Sequence, residues 1–234
     1  MNRLPLAIRF ARREMRARLS GFRIFFACLV LGVAAIAGVE SLSAAFLTGL
    51  AEQGRTLLDG DVVVHLVHRP TTQAEAVYLA RRGRVSETVS LRGMAYALKN
   101  GAEAERQLVE LKAVDGAYPF FGDVSLSPAQ TFAAALRCDG TICGAVAEQT
   151  LLDRLKLAPG GLMKIGTQVF RVSAALNKEP DRISGGFSLG PHVLIGTPAL
   201  QRTGLVVLGS LIDYNYHLVL PPNASIKDFK TQAA

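Results

Sequence analysis

Hydrophobic residues are concentrated in one uninterrupted stretch near the amino terminus. Residues 24–39 carry no charge, and nine of these sixteen residues are Ile, Phe, Leu or Val. Transfer of those nine side chains into a bilayer is favourable by about 4 kcal/mol in total. Sixteen residues form about 24 Å of helix, short of a hydrocarbon core of about 30 Å, so flanking residues must contribute. The pattern predicts a single transmembrane helix over residues 21–48.

Beyond residue 51 the pattern changes to short segments typical of a mixed globular domain. Thr72 and Glu75 have the spacing of a capping box, at the start of a helix that ends before Gly83. Asn100-Gly101 between two alternating runs predicts a hairpin with a type I′ turn. The predicted strands cover residues 57–67, 85–99, 107–114, 144–147, 163–165, 169–176, 193–195 and 211–220. The predicted helices cover residues 72–82, 149–157, 197–203 and a short segment opened by Ser127-Pro128. Hairpins with interspersed helices indicate an α+β fold after the single membrane helix.

Basic residues cluster before the apolar stretch. Seven of the 26 Lys and Arg residues precede it, against one acid, so this segment carries +6 of the formal +7. The remaining chain is nearly neutral, which argues against a nucleic-acid-binding face. The positive-inside rule then predicts that residues 1–20 form a cytoplasmic, basic amphipathic segment. Residues 49–234 are predicted to form a periplasmic domain.

A cleaved signal peptide is the alternative explanation of this amino terminus. It would also begin basic and then become apolar, and residues 35–37 could serve as a cleavage site. However, the charged region is more than twenty residues long, and Leu6, Phe10 and Ala17 alternate with arginines at helical spacing. Apolar residues also continue beyond the possible cut. These features favour a retained anchor.

Two of the three cysteines suggest a disulfide. Cys138 and Cys143 flank a short turn-forming segment in a domain expected outside the cytoplasm, where disulfides persist. We expect them to pair, whereas Cys28 lies in the apolar stretch and is expected to act as a small apolar side chain. The sequence lacks two further ligands at usable spacing for a metal site.

Motifs that would indicate an enzyme are weak. Residues 186–190 fit the Gly-x-Ser-x-Gly pattern around Ser188, and Asp213 and His217 follow in the order of a hydrolase triad. However, a polar loop precedes the motif and Pro191 follows it, whereas a nucleophile elbow needs a strand before it and a helix after it. The sequence contains no Gly-x4-Gly-Lys-Ser/Thr phosphate loop. We therefore assign no catalytic, cofactor-binding or metal residues, and any ATP is expected to be bound by a partner.

A series of short motifs gives a family resemblance. After the basic segment and the apolar helix come Leu57-Leu58-Asp59-Gly60-Asp61-Val62-Val63-Val64, Tyr118-Pro119-Phe120-Phe121-Gly122, matching positions in 152–170, Glu179-Pro180-Asp181-Arg182, Gly190-Pro191-His192-Val193-Leu194-Ile195 and Thr203-Gly204-Leu205. In this order they resemble the amino-terminal part of an FtsX/MacB-type ABC transporter permease. They are most similar to the subgroup associated with a lysophospholipase. His192 stands where such proteins commonly have an arginine.

The resemblance implies a non-enzymatic permease subunit of the bacterial inner membrane. A separate cytoplasmic ATPase would drive it through the membrane helices, and lipid or another hydrophobic compound would be extracted or exported. The implied partners are that ATPase, the further transmembrane helices of a full-length permease, and a periplasmic lipase or lipid-handling protein. A coupling or structural role would fall on the motif residues Tyr118, Pro119, Gly122, Glu179, Pro180, Asp181, Arg182 and Pro191.

Alternative interpretations stay open at this point. The chain could be a membrane-tethered binding or scaffold domain without an ATPase, or a signal-anchored hydrolase that uses Ser188. The residues Ile226 and Phe229 begin an apolar stripe close to residue 234, which suggests an amino-terminal fragment of a longer protein. From the residues alone, we interpret the segment 179–182 as a polar structural loop, in which an exposed pair of Asp181 and Arg182 would contribute at most about 1 kcal/mol.

Overall fold

The computed structural model describes residues 4–182, 190–207, 209–222, 224 and 229, with the backbone alone for 4–22, 47–48 and 50–53. The chain divides into two compact units, Met1–Glu52 and Gln53–Ala234. The apolar stripe that begins at Ile226 and the motif around Ser188 fall largely outside the described residues.

The first unit consists of helix α1, which spans Leu4–Leu58 and ends in the second unit. Within it, Arg23–Phe46 is long and apolar enough to cross a membrane, and all of its side chains are exposed. This agrees with the membrane helix predicted at 21–48. A signal sequence near an amino terminus would satisfy the same length and composition test.

The end of α1 corrects one prediction. Leu57 and Leu58 were expected to open a strand, but they form the last turn of the helix. Asp59 then adopts φ +48°, and Gly60 N–H donates to Arg55 C=O at 3.1 Å. A left-handed residue with this bond closes a helix carboxyl end, so the strand begins only at Val62.

The second unit contains a ten-stranded mixed sheet in the order β1-β10-β2-β3-β9-β6-β8-β4, with β5 paired to β6 and β7 paired to β2 and β8. The strands are β1 Val62–Val67, β2 Arg84–Lys99, β3 Ala102–Val114, β4 Ser125–Ser127, β5 Cys138–Asp139, β6 Ile142–Glu148, β7 Leu162–Ile165, β8 Gln168–Lys178, β9 His192–Gly196 and β10 Ile212–Val219. The helices are α2 Gln73–Arg82, α3 Phe132–Ala135, α4 Gln149–Leu155 and α5 Thr197–Arg202. The α+β class predicted from the sequence is confirmed.

Local sequence signals correctly predicted the positions of several elements. Thr72 and Glu75 form the predicted capping box of α2. Asn100 and Gly101 both have positive φ, as a type I′ turn requires. The helix expected to open at Ser127-Pro128 is wrong by several residues, because residues 125–127 pair with β8 as strand β4. That helix, α3, begins only at Phe132.

The two faces of the sheet differ in character. One face carries the larger apolar core, with α2, α4 and α5 packed on it through Leu79, Leu152 and Leu200. The other face carries a small apolar cluster around Leu194, Val146 and Ala174. Beside that cluster the same face becomes polar, and the candidate site lies there.

Candidate functional site

The two most specific sequence motifs meet in space. Tyr118 and Asp181 are 63 residues apart in the chain, and the Tyr118 hydroxyl donates to Asp181 Oδ1 at 2.6 Å. Gly122 lies against Pro180, since a Cβ at Gly122 would stand 2.8 Å from Pro180 Cβ. We call residues 118–122 and 179–182 the two motif loops. Their contact shows that they form one structural feature.

Lys112 on β3 joins the two motif loops to the sheet. Its Nζ donates to Glu179 Oε1 at 2.7 Å and lies 2.7 and 2.8 Å from the two carboxylate oxygens of Asp181. It also stands 4.6 Å from the centre of the Tyr118 ring. All four side chains are buried. A single ammonium group therefore holds both acids of the second loop and faces the ring of the first.

Burial and charge oppose each other at Lys112. Burial acts to lower the pKa of the ammonium, but the carboxylates of Glu179 and Asp181 outweigh it and raise that pKa above its ordinary value of 10.5. Burial beside the same two acids raises the pKa of the Tyr118 hydroxyl. At neutral pH, Lys112 is thus charged and Tyr118 remains a hydrogen-bond donor.

His192 on β9 completes this ion network. Its Nδ1 lies 3.1 Å from Glu179 Oε2, and its Nε2 lies 3.7 Å from Glu110 Oε2. Burial works against the protonated imidazole, but the hydrogen bond to Glu179 and the nearby acids raise the pKa of His192 above 6.5. For Glu179, burial is likewise outweighed by His192 and Lys112, which lower its pKa to about 2. His192 thus contacts the acidic partner Glu179 beside Pro191.

The remaining motif residues have other partners. Arg182 forms an ion pair with Glu148, at the amino-terminal end of α4. Asp181 is bound by Lys112, so the exposed pairing of Asp181 with Arg182 that the sequence suggested does not describe the loop. The Pro191 carbonyl accepts from Glu110 N–H at 3.1 Å. Pro119 follows Tyr118 through a cis peptide bond.

The last turn of α1 is fastened beside the two motif loops. The Leu58 carbonyl accepts from His217 Nδ1 on β10 at 2.7 Å. Arg55 Nε pairs with Asp61 at 2.7 Å, and Asp59 Oδ1 accepts from Phe121 N–H at 2.8 Å. Burial raises the pKa of the Asp59 carboxyl, although the Phe121 hydrogen bond opposes this. We call this set of contacts the helix junction.

The helix junction also touches both motif loops through Gly122. A Cβ at this glycine would lie 3.1 Å from Thr56 Cγ2 on α1, in addition to its approach to Pro180. Gly122 has φ +78°, which glycine adopts without strain. Its lack of a side chain allows the helix end and both motif loops to meet.

The disulfide lies apart from this site. Cys138 and Cys143 face each other across β5 and β6 and are joined by an S–S bond, while Cys28 is free and exposed on α1. Among the described residues, no three His, Cys, Asp or Glu side chains are arranged to hold a metal ion. The ion network is suited to holding loops in fixed positions.

Several site residues were not singled out from the sequence. Lys112 was not named at all, and Asp59 appeared only inside a quoted motif. His217 was named only as a possible triad member, whereas in the structure it bonds to the Leu58 carbonyl and to Thr88. The sequence signal for Lys112 is its position between Leu111 and Ala113 on a strand. This alternation places Lys112 on the opposite face of the sheet from those two residues, but it does not show what covers that face.

In sequence, the chain is similar to an ABC transporter permease. It is 26% identical over 194 residues to the uncharacterized ABC transporter permease YbbP of Escherichia coli (strain K12), covering 82% of this chain and 22% of that protein. The chain thus corresponds to about a fifth of the length of that relative. No protein-family model matches the chain. The narrower lysophospholipase-associated subgroup stays a prediction.

Three solved structures show similarity to the domain. The extracellular domain of the noncanonic ABC-type transporter YknZ from Gram-positive bacteria has a TM-score of 0.44 at 11% identity, covering 69% of this chain and 77% of that one. A domain of a putative permease from Porphyromonas gingivalis has 0.46 at 12%, covering 75% and 82%. The periplasmic region of MacB from Actinobacillus actinomycetemcomitans has 0.43 at 10%, covering 76% and 82%.

Proposed function

We propose that the chain is the permease component of an ABC transporter in which α1 links the membrane to an outer domain. Residues 21–48 would span the bacterial inner membrane, with residues 1–20 in the cytoplasm and 49–234 in the periplasm. A separate cytoplasmic ATPase would supply the energy. The sequence similarity to YbbP and the basic amino terminus support this arrangement.

The helix junction is the observation that carries the mechanical part of the proposal. Helix α1 runs as one element from Leu4 to Leu58, and its last turn is bonded to β10 and to the loop that contains Phe121. A chain of hydrogen bonds continues from the Leu58 carbonyl through His217 to Thr88 on β2. A displacement of the helix end would therefore act directly on inner strands of the sheet.

The substrate would be a lipid or another hydrophobic compound, as the family resemblance implies. The further membrane helices of a full-length permease and a periplasmic lipase would be additional partners. Membership in the lysophospholipase-associated subgroup is part of this proposal, and the sequence that supports it is Tyr118-Pro119-x-x-Gly122 followed by Glu179-Pro180-Asp181-Arg182. The contact between these two motifs supports their use as one functional unit.

The test uses the full-length parent protein reconstituted with its ATPase. We expect co-purification of the two, and loss of permease-dependent stimulation of ATP hydrolysis when residues 21–48 are replaced by an unrelated membrane helix. Unchanged stimulation after this replacement would refute the mechanical role of α1.

A pair of arginine variants sharpens this test. Arg55→Gln removes the ion pair with Asp61 at the helix junction, whereas Arg69→Gln removes an ion pair with Glu75 at the other end of β1. Both changes delete one charge and one partner in the same domain. We expect only Arg55→Gln to reduce stimulation, and equal effects of the two variants would contradict the proposal.

A further inference from the structure

A polar cavity of about 440 Å³ opens beside the ion network on the same face of the sheet. Its lining includes Glu110 and Lys112 from β3, Ser90 from β2, and Asp213 from β10. Strand pairing sets Asp213 opposite Ser90, and Ser90 opposite Lys112. These side chains therefore form a row across three neighbouring strands.

The basic groups of the cavity are already neutralised. Lys112 is held by Glu179 and Asp181, and Arg182 is paired with Glu148. Four acids and two bases line the cavity, so the acids exceed the bases by two, with histidines counted as neutral. The cavity thus favours a positively charged occupant.

Two carboxylates remain open to the cavity, at different sides of it. The side chains of Glu110 and Asp213 are 20% and 42% exposed. Each faces a histidine nitrogen, His192 Nε2 at 3.7 Å and His65 Nε2 at 3.6 Å, beyond hydrogen-bond length. Both acids thus retain oxygen atoms that can accept hydrogen bonds from a ligand.

The register fixes the separation of the two acids. Glu110 lies opposite Arg92, two residues along β2 from Ser90, which lies opposite Asp213. Two strand spacings and two residues along a strand place the Cα atoms of the two acids about 12 Å apart. Side chains stand roughly perpendicular to a sheet, so the two carboxylates are expected to have about the same separation as their Cα atoms. Ammonium groups placed between them, at about 2.8 Å from each carboxylate, would then be roughly 6 Å apart. That is the length of an extended four-carbon chain with an amine at each end.

We propose that this cavity binds a short aliphatic diamine, with one ammonium group at Glu110 and the other at Asp213. Ser90 and Asn215 supply additional polar atoms between and beside the two acids. This binding site is independent of the proposed transport function, because it needs neither the membrane helix nor an ATPase.

The test is calorimetric titration of the full chain in phosphatidylcholine nanodiscs with 1,4-diaminobutane. We expect Glu110→Gln and Asp213→Asn each to weaken binding roughly tenfold or more, equivalent to about 1.4 kcal/mol. Glu103→Gln is the matched control, because it removes the same charge from β3 at an exposed pair with Lys164 outside the cavity. Undetectable binding, or equal losses in all three variants, would overturn the proposal.

A second measurement needs no variant and so is unaffected by misfolding. Across diamines of two to eight carbons, affinity for the unmodified chain should be highest near four carbons, and butylamine should bind more weakly. Glycerophosphoethanolamine tests the alternative that the amine belongs to a lipid headgroup, and its phosphate should weaken binding to a net acidic cavity. An affinity independent of chain length, or preference for the phosphodiester, would refute a diamine site.

Discussion

Replacement of Lys112 by methionine tests the ion network most directly. The change keeps an unbranched side chain of similar length but removes the ammonium that binds Glu179 and Asp181. Both acids are buried, so they would be left without their cationic partner. Removal of one partner from a buried ion pair typically costs about 3–5 kcal/mol. For a domain of this size, a loss of that magnitude lowers the unfolding temperature by roughly 6–20 °C.

The assay is thermal unfolding of the full chain in detergent, followed by circular dichroism. Lys164→Met is the control, because Lys164 pairs with Glu103 at a partly exposed site and such pairs contribute little. A second variant, in which Glu179→Gln and Asp181→Asn accompany Lys112→Met, should recover part of the loss, since no uncompensated charge remains. The reasoning would be wrong if Lys112→Met were no more destabilising than Lys164→Met.

Four further predictions concern pH, packing and the disulfide. The pKa of Glu179 is lowered to about 2 from 4.5, so its stabilisation should be complete above pH 4.5 and lost towards pH 2; the midpoint of urea unfolding measures this. The pKa of His192 is raised above 6.5, so its stabilisation should be complete below pH 6.5 and lost as the pH rises through the folded value; His192→Asn should flatten that alkaline decline. Gly122→Ala should lower the unfolding temperature more than Gly101→Ala, because both have positive φ but only Gly122 meets neighbouring atoms. Cys138→Ser should lower the free energy of unfolding by up to about 2 kcal/mol in denaturant titrations under oxidising conditions, since the bridge closes only a short loop.

Elements with a local physical cause could be predicted from the sequence. The capping box of Thr72 and Glu75 needs only neighbouring residues, and so does the turn at Asn100 and Gly101. The apolar run in α1 is likewise a property of a continuous segment. Such features do not depend on the rest of the fold.

The helix junction could not be placed in the same way. Leu57 and Leu58 are equally suited to a helix or a strand when judged from their neighbours. Their helical state coincides with a hydrogen bond from His217 to the Leu58 carbonyl, and these two residues are 159 positions apart in the chain. Contacts at that separation leave no trace in local periodicity.

Lys112 shows the same limit for the site. On a strand, its alternation with apolar residues is equally typical of a solvent-facing lysine. Its burial depends on the loops at Tyr118 and Glu179, and the latter is 67 residues further along the chain. The sequence identified both motif loops but gave no sign that one ammonium group joins them.

The use of an ion network at this place has a physical rationale beyond stability. Buried ion pairs often stabilise a fold no more than apolar packing of the same volume would, but their hydrogen bonds are directional. Movement of the loop containing Asp181 by an ångström would break its bonds to Lys112 and Tyr118 together, whereas apolar contacts would allow sliding. The same loop packs through Pro180 against Gly122, which borders Thr56 of α1. Transmission of movement from the helix end would require a network that resists small displacements, because a yielding network would absorb the movement.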